Sequence, residues 1–243
     1  MQLQRISLIV YRIQSCFFDP RTPVTLTRIT LEPDLVERVY DALLHSITEG
    51  TLAPGRRLAQ EDLAAQLNVS RQPVLQALRL LKKDGFVVDA GKRGVMVTPI
   101  DAVGIAQVYQ LRGALDALAS RLAAQRKAVI DPALIERGRK AARGRSIAAL
   151  VETDIAFHNA IYEASGNSLI AESANRHWAH IRRAMSSVLF AAGVRESVWD
   201  EHAAILDAIR AGDGPKAEGL TREHGETAAH AVTNRILAQA AVA

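Results

Sequence analysis

The sequence predicts a mainly α protein in two parts: a front unit of short helices closed by a small β-hairpin, then an all-α helical bundle. Three observations predict it. Between Gln60 and Asp84, apolar residues recur at helical spacing on either side of a turn, Asn68-Val69-Ser70. Two short β-prone runs, Phe86-Val87-Val88 and Val95-Met96-Val97, flank a turn, Asp89-Ala90-Gly91-Lys92-Arg93-Gly94. From Ala102 onward the apolar residues keep three- and four-residue spacings, with no strand pattern. Composition agrees: the 243 residues are 49% hydrophobic but only 5% aromatic, and Ala and Leu supply the cores.

Residues 1–30 alternate apolar, basic and turn residues without a sustained period, so a poorly ordered or loosely packed leader is expected there. Met1 to Val10 lacks the long apolar stretch and cleavage site of a secretion signal. No run approaches the ~18 apolar residues of a membrane span. The single cysteine, Cys16, has no intramolecular partner and fits a reducing compartment. A cytoplasmic protein with no membrane partner is expected.

Residues 31–99 form the next unit. Its first helix runs from about 33 to 49, with Leu35, Val39, Leu43 and Ile47 on one face, and stops at Gly50 and Pro54-Gly55. A second helix buries Leu63, Ala64 and Leu67. Ser70 is placed as N-cap of a third, its hydroxyl accepting from an orphan amide of the first turn. Pro73 lies in that first turn, where a missing N–H costs little. Val74, Leu75, Leu78 and Leu81 give the third helix its apolar face. Two such helices followed by a hairpin make a winged helix-turn-helix. In that arrangement the exposed start of the third helix, with Ser70, Arg71 and Gln72, meets base edges, Arg79 lies further along it, and Lys92 and Arg93 at the wing tip meet phosphate or minor groove. The net charge of +4 says little by itself, because residues 31–99 carry nine Lys/Arg against nine Asp/Glu. Residues 71–93 are locally basic, with six cations against two acids. On pattern alone, helix pairs followed by hairpins also occur in proteins with no DNA role.

The residues themselves narrow the choice. The stretch E-D-L-A-A-Q-L-N-V-S-R-Q-P-V-L-Q-A-L-R-L-L-K-K-D-G-F-V, from Glu61 to Val87, resembles the GntR family of bacterial transcription regulators. That family typically reads E-x-L-A-x-x-L-G-V-S-R-T-P-V-R-E-A-L, with a glycine-rich wing after it. The resemblance runs from Leu35 to Thr98 and implies double-stranded operator DNA as partner. Leu75-Gln76 stands where the family usually has Arg-Glu, and that arginine commonly contacts DNA. The departure bears on operator sequence and affinity, not on the fold.

After a short hinge at 99–101, the bundle (100–243) divides into about six helical segments: 102–127, 132–143, 146–165, 168–191, 196–211 and 214–240. Gly144, Gly166, Gly193 and Gly212 fall between them. Polar residues break the apolar stripes at three places. Asp154 and His158 share a face of the third segment at i, i+4, His202 lies with Ile205, Leu206 and Ile209, and His224 lies with Leu220, Thr227 and Ala231. One Asp and three His suit Zn²⁺, or Ni²⁺ or Mn²⁺. Taken singly, an inward histidine is as readily a hydrogen-bonded core residue as a ligand. The basic run of Arg176, Arg182 and Arg183, with His177 and His180, reads as a solvated face or a dimer rim.

Here too the residues resemble a family domain. D-I-A-F-H-N-A-I-Y-E-A-S-G-N (154–167) and E-H-A-A-I-L-D-A-I-R-A-G-D (201–213), with Glu223-His224, are similar to the FCD effector domain of the FadR-like GntR branch. Its metal-binding members use one Asp and three His at these places, which implies a divalent-metal site at Asp154, His158, His202 and His224. The acyl-CoA-binding members generally lack the full set. Tyr109 to Asp116 resembles the family's Y-E-x-R-x-x-L-E, which implies that Arg112 offers its fork to a carboxylate ligand. The alternative for Arg112 is a structural pair with Asp116. Asn167, in the S-G-N match, is placed beside the ligand or in turn geometry.

The expectation is a homodimeric DNA-binding transcription regulator whose operator affinity is set by a small carboxylate metabolite at a divalent-metal site. The alternatives are a purely structural metal and a metal-dependent hydrolase. The hydrolase fits less well, because no extra Glu or His stands out as a general base and a catalyst would leave the winged helix unexplained.

Overall fold

The computed structural model describes residues 35–91, 94–188 and 196–241. The expected leader, Cys16, Gly193 and the wing-tip Lys92 and Arg93 lie outside the described residues.

Helix α1 (Leu35–Thr48) buries Val39, Leu43 and Ile47 at four-residue intervals. It leads through Leu52 to a two-residue strand β1 (Arg57–Leu58). Helix α2 (Gln60–Leu67) ends where Asn68 turns left-handed at φ 52°, a conformation Asn tolerates better than most residues. Helix α3 (Arg71–Lys83) packs Val74, Ala77, Leu78 and Leu81 into the same core. Ser70 takes the extended N-cap backbone, but its hydroxyl makes no capping hydrogen bond. The cap expected there is thus conformational only. The hairpin strands β2 (Val87–Asp89) and β3 (Val95–Val97) pair antiparallel, Val88 opposite Met96. β1 adds to the other edge of β3, so the sheet order is β1-β3-β2.

The bundle consists, among the described residues, of α4 (Ala102–Gln125), α5 (Ala133–Arg143), α6 (Ile147–Ser165), α7 (Ser168–Val188), α8 (Ser197–Ala211) and α9 (Gly214–Ala240). Side-chain caps set three of the starts. Asp101 accepts from the amides of Val103 and Gly104 (3.1 and 2.8 Å), Ser146 from Ala149 (3.1 Å) and Asp213 from Lys216 (3.1 Å). Gly166 and Gly212 close α6 and α8 at φ 68° and 78°, which glycine adopts without a Cβ penalty. α9 packs along α4, close enough that a Cβ on Gly225 would stand 3.7 Å from the Gly113 backbone. A second apolar core, from Ile105 to Ile236, fills the bundle.

Helix α7 joins the two cores. One side gives Ile170, Ala174, Trp178 and Ile181 to the bundle. The other packs on α1, puts Ala179 against the winged-helix core and stacks His180 on Phe86 (ring centroids 4.2 Å apart). Arg183 is buried and donates to the Thr98 carbonyl. The basic run is therefore not one solvated face. Arg176 is exposed and Arg182 pairs with Glu152, but His180 and Arg183 are covered by the neighbouring lobe.

Candidate functional site

On α6, Asp154, Phe157, His158 and Ile161 are buried at three- and four-residue steps, so the carboxylate and the imidazole project from one face. α8 presents His202 between Trp199 and Ile205, and α9 presents His224. These helices converge. His158, His202 and His224 each offer a ring nitrogen, and the three lie within 4.8 Å of one another. The Nε2 atoms of His202 and His224 are 3.2 Å apart. Asp154 Oδ1 lies 3.7 Å from His202 Nε2 and 4.0 Å from His158 Nε2.

The surroundings orient these rings. Glu201 Oε2 lies 2.7 Å from His224 Nδ1, and Asp116 Oδ2 lies 3.4 Å from His158 Nδ1. Each carboxylate favours the proton on Nδ1 and turns the Nε2 lone pair inward. Phe157 stacks on His202 at 3.9 Å and Trp199 meets its ring edge-on at 4.7 Å. Burial, helped by the nearby Arg112 charge, holds His158 well below the usual imidazole range. Burial likewise lowers His202, with His224 and Arg112 adding to it. Burial pushes the Asp154 carboxyl up, against the pull of Arg112 and His224.

A divalent ion fits this donor set. Burial favours the neutral imidazole at His158 and His202, the form a ligand must take. Two nitrogens at Zn–N bond lengths on a tetrahedral ion stand about 3.3 Å apart, close to the 3.2 Å between His202 and His224. The same separation also suits a hydrogen bond between the two rings.

Arg112 is buried here, and its partners are internal. Its Nε donates to Asp116 Oδ2 (3.0 Å), its Nη2 lies 2.6 Å from His158 Nε2, and its guanidinium stacks 4.3 Å from the Trp178 ring centroid. The structural pair with Asp116 is thus formed, and the N–H on His158 occupies the lone pair that a metal would use. Tyr162 also donates to Asp116. A cavity of about 120 Å³ opens beside the cluster, lined by Arg112, Asp154, Trp199, His224, Val232 and Arg235 among others. Asn167 does not line it. Its Oδ1 accepts from Leu169 N (3.2 Å) at the start of α7, so its role is turn geometry. Sequence reasoning passed over Asp116 as a carboxylate shared by three groups, and over Trp178, Trp199 and Arg235. Beyond the proposed ligands, no extra Glu or His stands out there from sequence as a general base. Glu201 was legible there, as the residue before His202.

On the winged helix, Ser70, Arg71, Gln72 and Arg79 are exposed along α3, as a DNA-facing surface requires. Arg71 meets Glu61 of α2 at 3.0 Å, with both side chains about 70% exposed (70% and 72%), so the pair holds it only weakly. Leu75 is half-buried and Gln76 exposed.

Comparison with known proteins agrees with this architecture. Residues 35–97 match the model of the bacterial regulatory proteins, gntR family, and residues 107–227 match the FCD domain. An uncharacterized HTH-type transcriptional regulator of Streptomyces ambofaciens is 31% identical over 196 residues, covering 76% of this chain and 80% of the relative. A probable D-xylose utilization operon transcriptional repressor of Paenarthrobacter nicotinovorans is 26% identical over 84% of this chain and 89% of its own length. The crystal structure of a GntR regulator from Rhodococcus sp. RHA1 superposes with a TM-score of 0.67 at 26% identity, over 81% of this chain and 96% of that one. The chain belongs to the GntR family of DNA-binding transcription regulators and carries an FCD domain.

Proposed function

We propose that this regulator works as a homodimer whose operator affinity is controlled by a small carboxylate metabolite at a divalent-metal site, held by Asp154, His158, His202 and His224. The convergence of three buried imidazoles on one point carries this reading. When bound, the ion supplies a Lewis-acidic cation whose open positions a carboxylate can fill. Arg112 and the ion compete for one lone pair on His158. An Arg112 released from His158 is free to turn its fork to a carboxylate in the adjoining cavity. Trp178, stacked on Arg112, stands on α7 next to Ala179 and His180, which touch the winged helix. α7 therefore connects the site physically to the DNA-binding unit. Control requires that the metabolite favour one arrangement of that connection over the other. Ser70, Arg71, Gln72 and Arg79 are assigned to the operator, together with Lys92 and Arg93 at the wing, in a cytoplasmic protein.

The pairing of Arg112 Nε with Asp116, which an ion on His158 leaves in place, favours a second reading, a structural metal with no small-molecule effector. One experiment separates them: elemental analysis of purified protein with and without chelation, paired with operator gel shifts. About one metal per chain, with carboxylates altering the shift only in metal-loaded protein, supports control by a metabolite. Metal without any carboxylate effect leaves the structural reading. Absence of metal in every preparation refutes both.

A further inference from the structure

A second cleft, of about 440 Å³, lies at the seam between the winged helix and the bundle and shares no lining residue with the cavity beside the histidines. Ile47, Ile100 and Ile147 supply apolar wall, Ser186 a hydroxyl and Glu49 an acid at an exposed position. Arg183 is the cation of this cleft and is only 7% exposed. One of its N–H groups donates to the Thr98 carbonyl, while Nε is buried with no hydrogen-bond partner among the described residues. Among the described residues it forms no ion pair. Burial alone lowers it, to about 10.

A guanidinium taken out of water without a carboxylate is costly, and native proteins rarely leave one so. Arg112 shows the usual solution in this same chain, with Asp116 at 3.0 Å. Among the described residues Arg183 has the burial without the counter-charge, and it lines the cleft.

We propose that this seam is a ligand site for a small monocarboxylate with an apolar body, bound through Arg183 and separate from the histidine cluster. The planar fork matches the two oxygens of a carboxylate. The isoleucine wall suits an aliphatic chain of a few carbons. Glu49 on the same cleft repels a dianion, which selects against phosphate. The proposal does not rest on the metal reading.

The test uses the full chain, chelated and metal-loaded, titrated calorimetrically with propionate, butyrate and hexanoate, and with inorganic phosphate at matched ionic strength. One aliphatic carboxylate is expected to bind per chain in both preparations, and phosphate at least tenfold more weakly. Arg183→Met should weaken carboxylate binding by about tenfold or more, because it removes the fork and keeps the length. Ile147→Glu is a second probe, from another helix. Its acid sits at the start of α6, where the helix dipole favours it, and it should abolish binding by repulsion. The proposal is overturned by carboxylate binding that needs the metal, by equal affinity for phosphate, or by no binding in chelated protein. Full affinity in either variant overturns it as well.

Discussion

Gly138 lies on α5, which contributes no group to the histidine cluster, yet its substitution should disturb that cluster. A Cβ at this position would stand 2.1, 2.1 and 2.2 Å from three ring carbons of Trp199. Carbon atoms in contact sit roughly 3.5 Å apart or more, so the indole must move by about 1.4 Å. It has little room: Trp199 is among the most completely buried side chains, with the His202 ring 4.7 Å away and Phe157 6.3 Å away. Overpacking of this kind costs about 1–3 kcal/mol, and the better helix propensity of Ala returns about 0.5–1 kcal/mol. Gly138→Ala should therefore destabilise by about 0.5–2 kcal/mol in urea unfolding of the chelated protein. Gly219 on α9 has no atom within 4 Å of a built Cβ, so Gly219→Ala should stabilise by about 0.5–1 kcal/mol. The displaced indole presses on His202, and Zn²⁺ affinity, read by competition with a chelating dye, should fall on the order of tenfold. A Gly138→Ala protein as stable as the Gly219→Ala control, with parental Zn²⁺ affinity, would refute the claim that Trp199 positions His202.

Other outcomes follow from the same geometry. His202→Ala should bring stoichiometric metal to background by elemental analysis, and full retention would remove His202 from the ligand set. Glu201→Gln keeps every proposed ligand but weakens the hold on His224 Nδ1, so metal affinity should drop about 10- to 100-fold; an unchanged dissociation constant would show that Glu201 is a bystander. Arg71→Ala should relax base discrimination, while Arg79→Ala should weaken all sequences alike and flatten the salt dependence; identical sequence profiles for the two variants would contradict that division. His158 and His202 are held well below their ordinary 6.5 by burial. As the pH falls below about 6.5, the unfolded chain takes up protons that the folded chain refuses, so the chelated protein should lose stability at up to about 2.7 kcal/mol per pH unit for two imidazoles. Asp154 has the opposite sign, because its raised carboxyl keeps a proton that the unfolded chain releases above 3.8, so the measured slope should be smaller. Urea midpoints that stay flat or rise between pH 7 and pH 5 would exclude neutral buried histidines.

What could be read from the sequence tracks the distance over which each feature is determined. The bundle's helix limits were legible from apolar spacing and from glycines such as Gly166 and Gly212, which end a turn through atoms a few residues away. The caps Asp101, Ser146 and Asp213 were not read, and the one that was, Ser70, makes no capping hydrogen bond. Asp154 and His158 were legible together because four residues of helix put them on one face. Strand β1 was not, since two residues carry no alternation and Arg57-Leu58 is extended only because β3 offers it an edge. Arg112 marks the boundary. Its pairing with Asp116 was visible at i+4, but its contact with His158 spans 46 residues, and that contact decides whether the fork is available to a ligand. Arg183 lies beyond the boundary. Within a run of Arg and His it looks solvated, and only the carbonyl of Thr98, 85 residues earlier in the chain, shows that a second lobe covers it. A charge on a helix face is thus legible as a charge, but whether water or protein surrounds it is a property of the neighbouring lobe. That is why the histidine cluster could be anticipated from sequence and the seam could not.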